Sequence, residues 1–124
     1  MAQKMMTQPV NGIVFVYGDS NVEVPADRLD RRTSLIAASD EALIVCVKAE
    51  VDGETELSFG RSAEIDPGWL PGYVGTINTP ICEILVETVD RKILFKESVP
   101  STRTALRVWF SHPRWPDRVL IGLD

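Results

Sequence analysis

His112 is the one histidine of the chain and so the one side chain whose ordinary pKa suits general-base work near neutral pH. It follows Ser111, but a serine–histidine pair makes a nucleophile only when a third group orients the imidazole and donors meet the oxyanion. Adjacency in sequence supplies neither, so His112 reads as a loop histidine. The two cysteines, Cys46 and Cys82, lie far apart inside apolar runs. There a thiolate is disfavoured, and the close Cys/His spacing of a zinc site is missing. Both are expected to be buried thiols acting as small hydrophobes. Glu83 and Glu87 share one face of a strand, as do Glu54 and Glu56, but carboxylates that hydrolyse sugars are defined by a distance that spacing does not give. A solvated sheet face is the plainer reading. Asp19-Ser20-Asn21 and the Asp27, Asp30 pair lack a calcium loop, and no glycine-rich phosphate cradle is present. The sequence therefore points away from an enzyme and calls for no metal or cofactor.

A different chemistry is suggested by arginine and tryptophan. Arg103, Arg107 and Trp109 fall on alternate positions of one strand, predicted to face solvent, and His112, Arg114 and Trp115 lie in the loop that follows. Trp and Arg are the residues most enriched at protein-interface hot spots. The competing reading is cation–π packing that covers the sheet. Trp69 belongs with them as an aromatic on a loop, where it either plugs one end of the core or stacks on a ligand.

The elements that must position these residues are strands. Ile13–Tyr17 is a β-branched and aromatic run closed by Gly18-Asp19-Ser20-Asn21. Residues 25–40 have weak helical character with no apolar stripe, predicting a turn or one short helix. Ala42–Ala49 is apolar except for Lys48, as in a strand buried on both faces, and Asp52-Gly53 predicts a tight hairpin into Thr55, Leu57 and Phe59. Residues 60–72 hold too many Gly and Pro for a regular element and are expected to be a long loop. Strands are then expected over 73–78, 81–89, 92–96, 104–110 and 118–123, with a second hairpin at Asp90-Arg91. Residues 1–12 are polar and unpatterned and read as a disordered tail, leaving 13–124 as a single domain. The pattern is that of an antiparallel β-sandwich of about eight strands, with at most one short helix.

Composition agrees with that class. The 124 residues are 44% apolar, enough for one core at a size that buries roughly two-thirds of the unfolded surface. Met1–Pro9 has no apolar core of a signal peptide, and no run nears the roughly 20 apolar residues of a membrane span, so a cytoplasmic protein is expected. Net charge is −5, with residues 1–66 carrying twelve Asp/Glu against six Lys/Arg, and residues 67–124 six against seven. Phosphate backbones and anionic membranes repel such a chain, so neither nucleic acid nor lipid is expected as a partner, whereas a basic protein would suit it.

From Thr76 onward, TINTPICEILVETVDRKILFKESVP and then TALRVWFSHPRWPDRVLIGLD carry a paired hairpin, a Val-Pro break, a Leu-Arg-Val strand and a closing strand entered through Pro-Asp. In these features the chain resembles small bacterial β-sandwich proteins related to competence nuclease inhibitors. That resemblance implies a non-enzymatic protein of inhibitor or immunity type that binds and neutralises another protein, and assigns no residue by position. The alternative is a small-ligand or carbohydrate-binding sandwich using Trp69, Trp109 or Trp115 as a platform. If the strand 104–110 lies at a sheet edge, its one outward charge leaves it poorly protected. A homodimer with Trp109 and Trp115 partly buried at the contact is then expected.

Overall fold

The computed structural model describes residues 2–124, and among them ten strands form two five-stranded sheets packed face to face. Sheet A has the order β1 (Gln3–Thr7), β5 (Thr55–Arg61), β10 (Arg118–Leu123), β9 (Arg103–Phe110), β6 (Tyr73–Asn78). Sheet B has the order β3 (Ile36–Ala38), β4 (Ala42–Cys46), β2 (Ile13–Tyr17), β7 (Glu83–Thr88), β8 (Ile93–Ser98). The two-residue period of a strand sends Val14, Val16, Leu43, Ile84 and Phe95 inward from sheet B to meet Leu57, Phe59, Leu106, Val108 and Ile121 from sheet A. Phe59 and Phe95 stack across the middle, with centroids 5.2 Å apart and planes 8° from parallel. Each such buried side chain contributes about 1.5–3 kcal/mol, and together they hold the two sheets in one orientation.

The β-sandwich and the Asp90-Arg91 hairpin are as expected. β7 and β8 pair antiparallel, and Arg91 takes the positive φ of 68° that the turn requires. Other expectations need correction. The strands number ten rather than eight, and the sandwich is not wholly antiparallel, because β10 runs parallel to β5. The short helix, α1 (Ser62–Ile65), falls in the stretch expected to be all loop, where four residues free of Gly and Pro suffice for one turn. Residues 25–40 hold the expected turn, a 3-10 turn at Ala26–Arg28, and also β3, which was not expected. Gln3–Thr7, expected within a disordered tail, pairs with β5 as an edge strand. Its mixed composition reflects one-sided burial: Met5, opposite Leu57, packs on the core, while Lys4 and Met6 point outward. Cys46 is buried, but Cys82 is exposed, in a turn before β7 with φ of 53°.

The largest correction concerns Asp52-Gly53. Gly53 does adopt a positive φ, of 110°, yet β4 and β5 lie in different sheets, so residues 47–54 cross from sheet B to sheet A and form no hairpin. A 3-10 turn at Glu50–Asp52 bends the crossing, and the Lys48 N–H donates to the Thr55 hydroxyl over 3.1 Å. β4 is buried on both faces, as its composition predicted. The second cover is residues 18–35, whose Val22 and Val24 pack on Tyr17, Ala42 and Leu85 of the outer face of sheet B.

Candidate protein-binding surface

Trp109 is the first residue to place, and it lies on the outer face of sheet A but is not exposed. Only 1% of its surface is accessible. β9 is an interior strand between β10 and β6; Trp109 registers with Leu120 on β10, and its diagonal neighbour on that strand is Gly122, which registers with Arg107. A Cβ on Gly122 would lie 2.7 Å from the Trp109 ring and 2.5 Å from the Ser62 hydroxyl, so the missing side chain makes the space into which indole and α1 settle. The loop after α1 closes over the ring, and the indole N–H donates to the Trp69 carbonyl over 3.0 Å. The expected exposed Trp109 is therefore a packing residue. The homodimer contact expected along β9 accordingly lacks both its free edge and this tryptophan.

The turn between β9 and β10 behaves differently. Ser111 donates to the Asp117 carboxylate over 2.7 Å, and its oxygen accepts the N–H groups of Asp117 and Arg118 at 3.1 and 3.0 Å. The hydroxyl of Ser111 holds the Asp117 carboxyl below the usual carboxylate range. His112 Nδ1 accepts the N–H groups of Arg114 and Trp115, each over 3.0 Å. Acceptance of both bonds puts the ring proton of the neutral imidazole on Nε2. The serine and histidine that sequence offers as a dyad are thus both spent on folding the turn. Their product is Trp115, 65% exposed, with its ring 5.6 Å from that of His112.

Trp69 is 39% exposed, and the Arg118 guanidinium stands over its ring at 5.7 Å. Arg118 Nε also donates to Glu56 over 2.9 Å, and Lys4 approaches the other oxygen of Glu56 at 3.9 Å. A row of alternating charge therefore crosses β1, β5 and β10 and ends on an aromatic. Sequence reading missed Arg118, because its role depends on which strands are neighbours. The remaining candidates do not converge. Arg103 bonds the Thr76 hydroxyl over 2.9 Å at the far end of β9, and Arg107 pairs with Asp124 over 3.0 Å. Arg114 is exposed beside Trp115.

Trp115 belongs to one end of the sandwich. Gln8 donates to the Glu50 carbonyl, Val47 N–H to the Gly12 carbonyl over 2.9 Å, and Glu56 N–H to the Asp117 carbonyl over 2.8 Å, which ties residues 8–12, 47–54 and 111–117 together. The 89–92 turn lies at the same end, since Thr88 opposes Val14 near the start of β2. Val51, Val89, Ile93 and Trp115 are all exposed there, with Met6 on the adjoining edge opposite Glu56. The charges of these connections nearly balance: Glu50, Asp52, Glu54, Asp90 and Asp117 against Lys48, Arg91, Lys92 and Arg114. At the opposite end, loops 18–25, 39–41, 78–82 and 99–102 carry Asp19, Glu23, Asp40 and Glu41 and no Lys or Arg. Five surface clefts of about 180–520 Å³ are lined without any tryptophan. Among the described residues no His/Cys/Asp/Glu cluster suits a metal ion, and no helix is long and apolar enough to cross a membrane.

No protein-family model matches the sequence, and no curated protein matches it. Solved structures do. ComJ of Bacillus subtilis, the inhibitor of the DNA-degrading activity of NucA, superposes with a TM-score of 0.67 at 15% identity, over 99% of this chain and 93% of that one. The product of crocagin biosynthetic gene J superposes with a TM-score of 0.56 at 12% identity, over 98% and 96%. At such identities what is shared is the backbone architecture, and the chain is a β-sandwich with the fold of the nuclease inhibitor ComJ.

Proposed function

We propose that this protein is a non-enzymatic binding module of inhibitor type, which docks on another protein through the end that carries Trp115. The observation that carries the reading is that Trp115, Val51, Val89 and Ile93 are all exposed at one end of the sandwich, among connections whose charges nearly cancel. Exposed apolar side chains grouped in one place, with a polar rim, mark interaction sites, and an exposed Trp beside Arg114 is a typical anchor. The acidic loops at the other end add a long-range attraction toward a basic partner without occupying the contact. The fold shared with ComJ supports an inhibitor role and makes a nuclease the first partner class to examine.

The test is a DNA-hydrolysis assay with nucleases encoded beside this protein, titrated with the purified chain. Stoichiometric inhibition is expected, weakened about 30-fold or more by Trp115→Ala, the size of one hot-spot residue. Hydrolysis unaffected at micromolar inhibitor would discard a nuclease partner, and inhibition indifferent to Trp115→Ala would discard this end as the contact. A stacking platform for sugars is less well supported, since Trp109 is buried and Trp69 already carries Arg118 on its ring.

A further inference from the structure

Glu87 sits in the middle of sheet B and faces outward beside Tyr17, yet only 5% of its surface is accessible. It lines a recess of about 180 Å³ with Phe15, Tyr17, Val22 and Val24, and Arg91 stands on the rim. Burial, together with the neighbouring Glu87 charge, pushes the pKa of the Tyr17 phenol up to about 12. Among the described residues, no lysine, arginine or histidine nitrogen lies within 4.0 Å of the Glu87 oxygens. A carboxylate this deeply buried is costly without a counter-charge, whereas sheet residues facing solvent meet no such cost.

We infer that this recess is a binding site for an organic cation, a guanidinium or ammonium head on an apolar stem, with Glu87 as its counter-charge. The recess has the size of one long side chain. Its aromatic walls, with Phe15 and Tyr17 centroids 6.2 Å apart, offer ring faces and edges to a cation, and Val22 and Val24 suit the methylene stem. Polar groups few in number and convergent on an otherwise apolar hollow are the ordinary makeup of a ligand site. Arg91, exposed on the hairpin turn at the rim, sets a like charge beside any cation that enters and so lowers the affinity. The site is on sheet B and does not depend on the Trp115 end binding anything.

The probes are blocked arginine, blocked lysine, blocked citrulline as the neutral isostere, and methylguanidinium, each titrated into the full chain and followed by amide NMR shifts. Saturable shifts at Phe15, Tyr17, Val24 and Glu87 are expected for the cations at millimolar concentration, and none for citrulline. Glu87→Gln should weaken binding at least tenfold, and Arg91→Ala should tighten it several-fold. A blocked arginine tighter than methylguanidinium identifies a side chain presented by a protein as the natural occupant, and equal affinities identify a free small cation. The inference is overturned if citrulline binds as well as arginine, or if the cations leave these amides unmoved. Should Glu87→Gln not fold, Arg91→Ala decides alone, because failure to tighten would overturn it too.

Discussion

Trp109 and Trp115 stand six positions apart in one sequence, each within two residues of an arginine, and the molecule treats them oppositely. Trp109 has a glycine beside it on the neighbouring strand, a helix and a loop folded over it, and a carbonyl for its N–H. Trp115 has a turn folded beneath it by Ser111 and His112, and nothing above. In the first region the surrounding structure exists to bury an indole. In the second, polar side chains are consumed to present one. The difference teaches that residue type nominated both as contacts, while neighbours on other strands decided which is available to a partner.

The comparison is broken most severely by removing the packed ring. Trp109→Ala should cost about 3–5 kcal/mol of stability, the usual loss for an emptied aromatic site, read as a lower denaturant midpoint. A loss near zero would mean that loop and helix collapse into the space and that Trp109 is not the anchor described. Filling its socket is the next largest change. Gly122→Ala should destabilise by about 1–3 kcal/mol, since the added carbon meets both the indole and the Ser62 hydroxyl. Trp115→Ala should act on the other side of the comparison, leaving stability within about 0.5 kcal/mol and lowering partner affinity by about 2 kcal/mol. Matching calorimetric and binding losses in that variant would place Trp115 in the fold and erase the contrast. The smallest effect is a pH dependence confined to the presented ring. Because hydrogen bonding depresses the folded Asp117 pKa, its contribution is present above the ordinary carboxylate range and disappears as pH falls through the lower folded value. Trp115 fluorescence should change in that acid window, and Ser111→Ala should move the change to higher pH.

Much of the frame was legible in the sequence. Asp90-Arg91 was read as a hairpin turn, and the apolar run Ala42–Ala49 as a strand buried on both faces, which holds for Ala42–Cys46. Asp52-Gly53 misled because a positive φ at glycine serves a crossing between sheets as well as a hairpin, and local sequence does not say which sheet comes next. Gln3–Thr7 escaped notice because a strand at an edge, with one side solvated, needs little apolar residue content. Cys82 was misplaced by the apolar Ile81 before it and the strand after it. Of the residues of the proposed contact, Trp115, Arg114 and His112 were already candidates from sequence, while Arg118 was not. Trp109 was a candidate by residue type alone, and it packs inside. The available hint was Gly122, a residue costly inside a strand unless something approaches its backbone, but its use required the β9–β10 register.

That same strand, β10, lies between β5 and β9 and is joined to β5 in parallel, with Arg118 reaching Glu56 across a separation of 62 residues. Until residues 118–123 have emerged from the ribosome, β5 and β9 have no common neighbour and sheet A stands open along its centre line. Nascent chains then expose two unpaired backbone edges, the situation in which strands find the wrong partner. Closure also requires contacts distant in the chain, which form slowly. The protein is accordingly expected to complete its sandwich only after residues 118–123 have left the ribosome, and to depend on chaperones during that interval more than a helical domain of equal length.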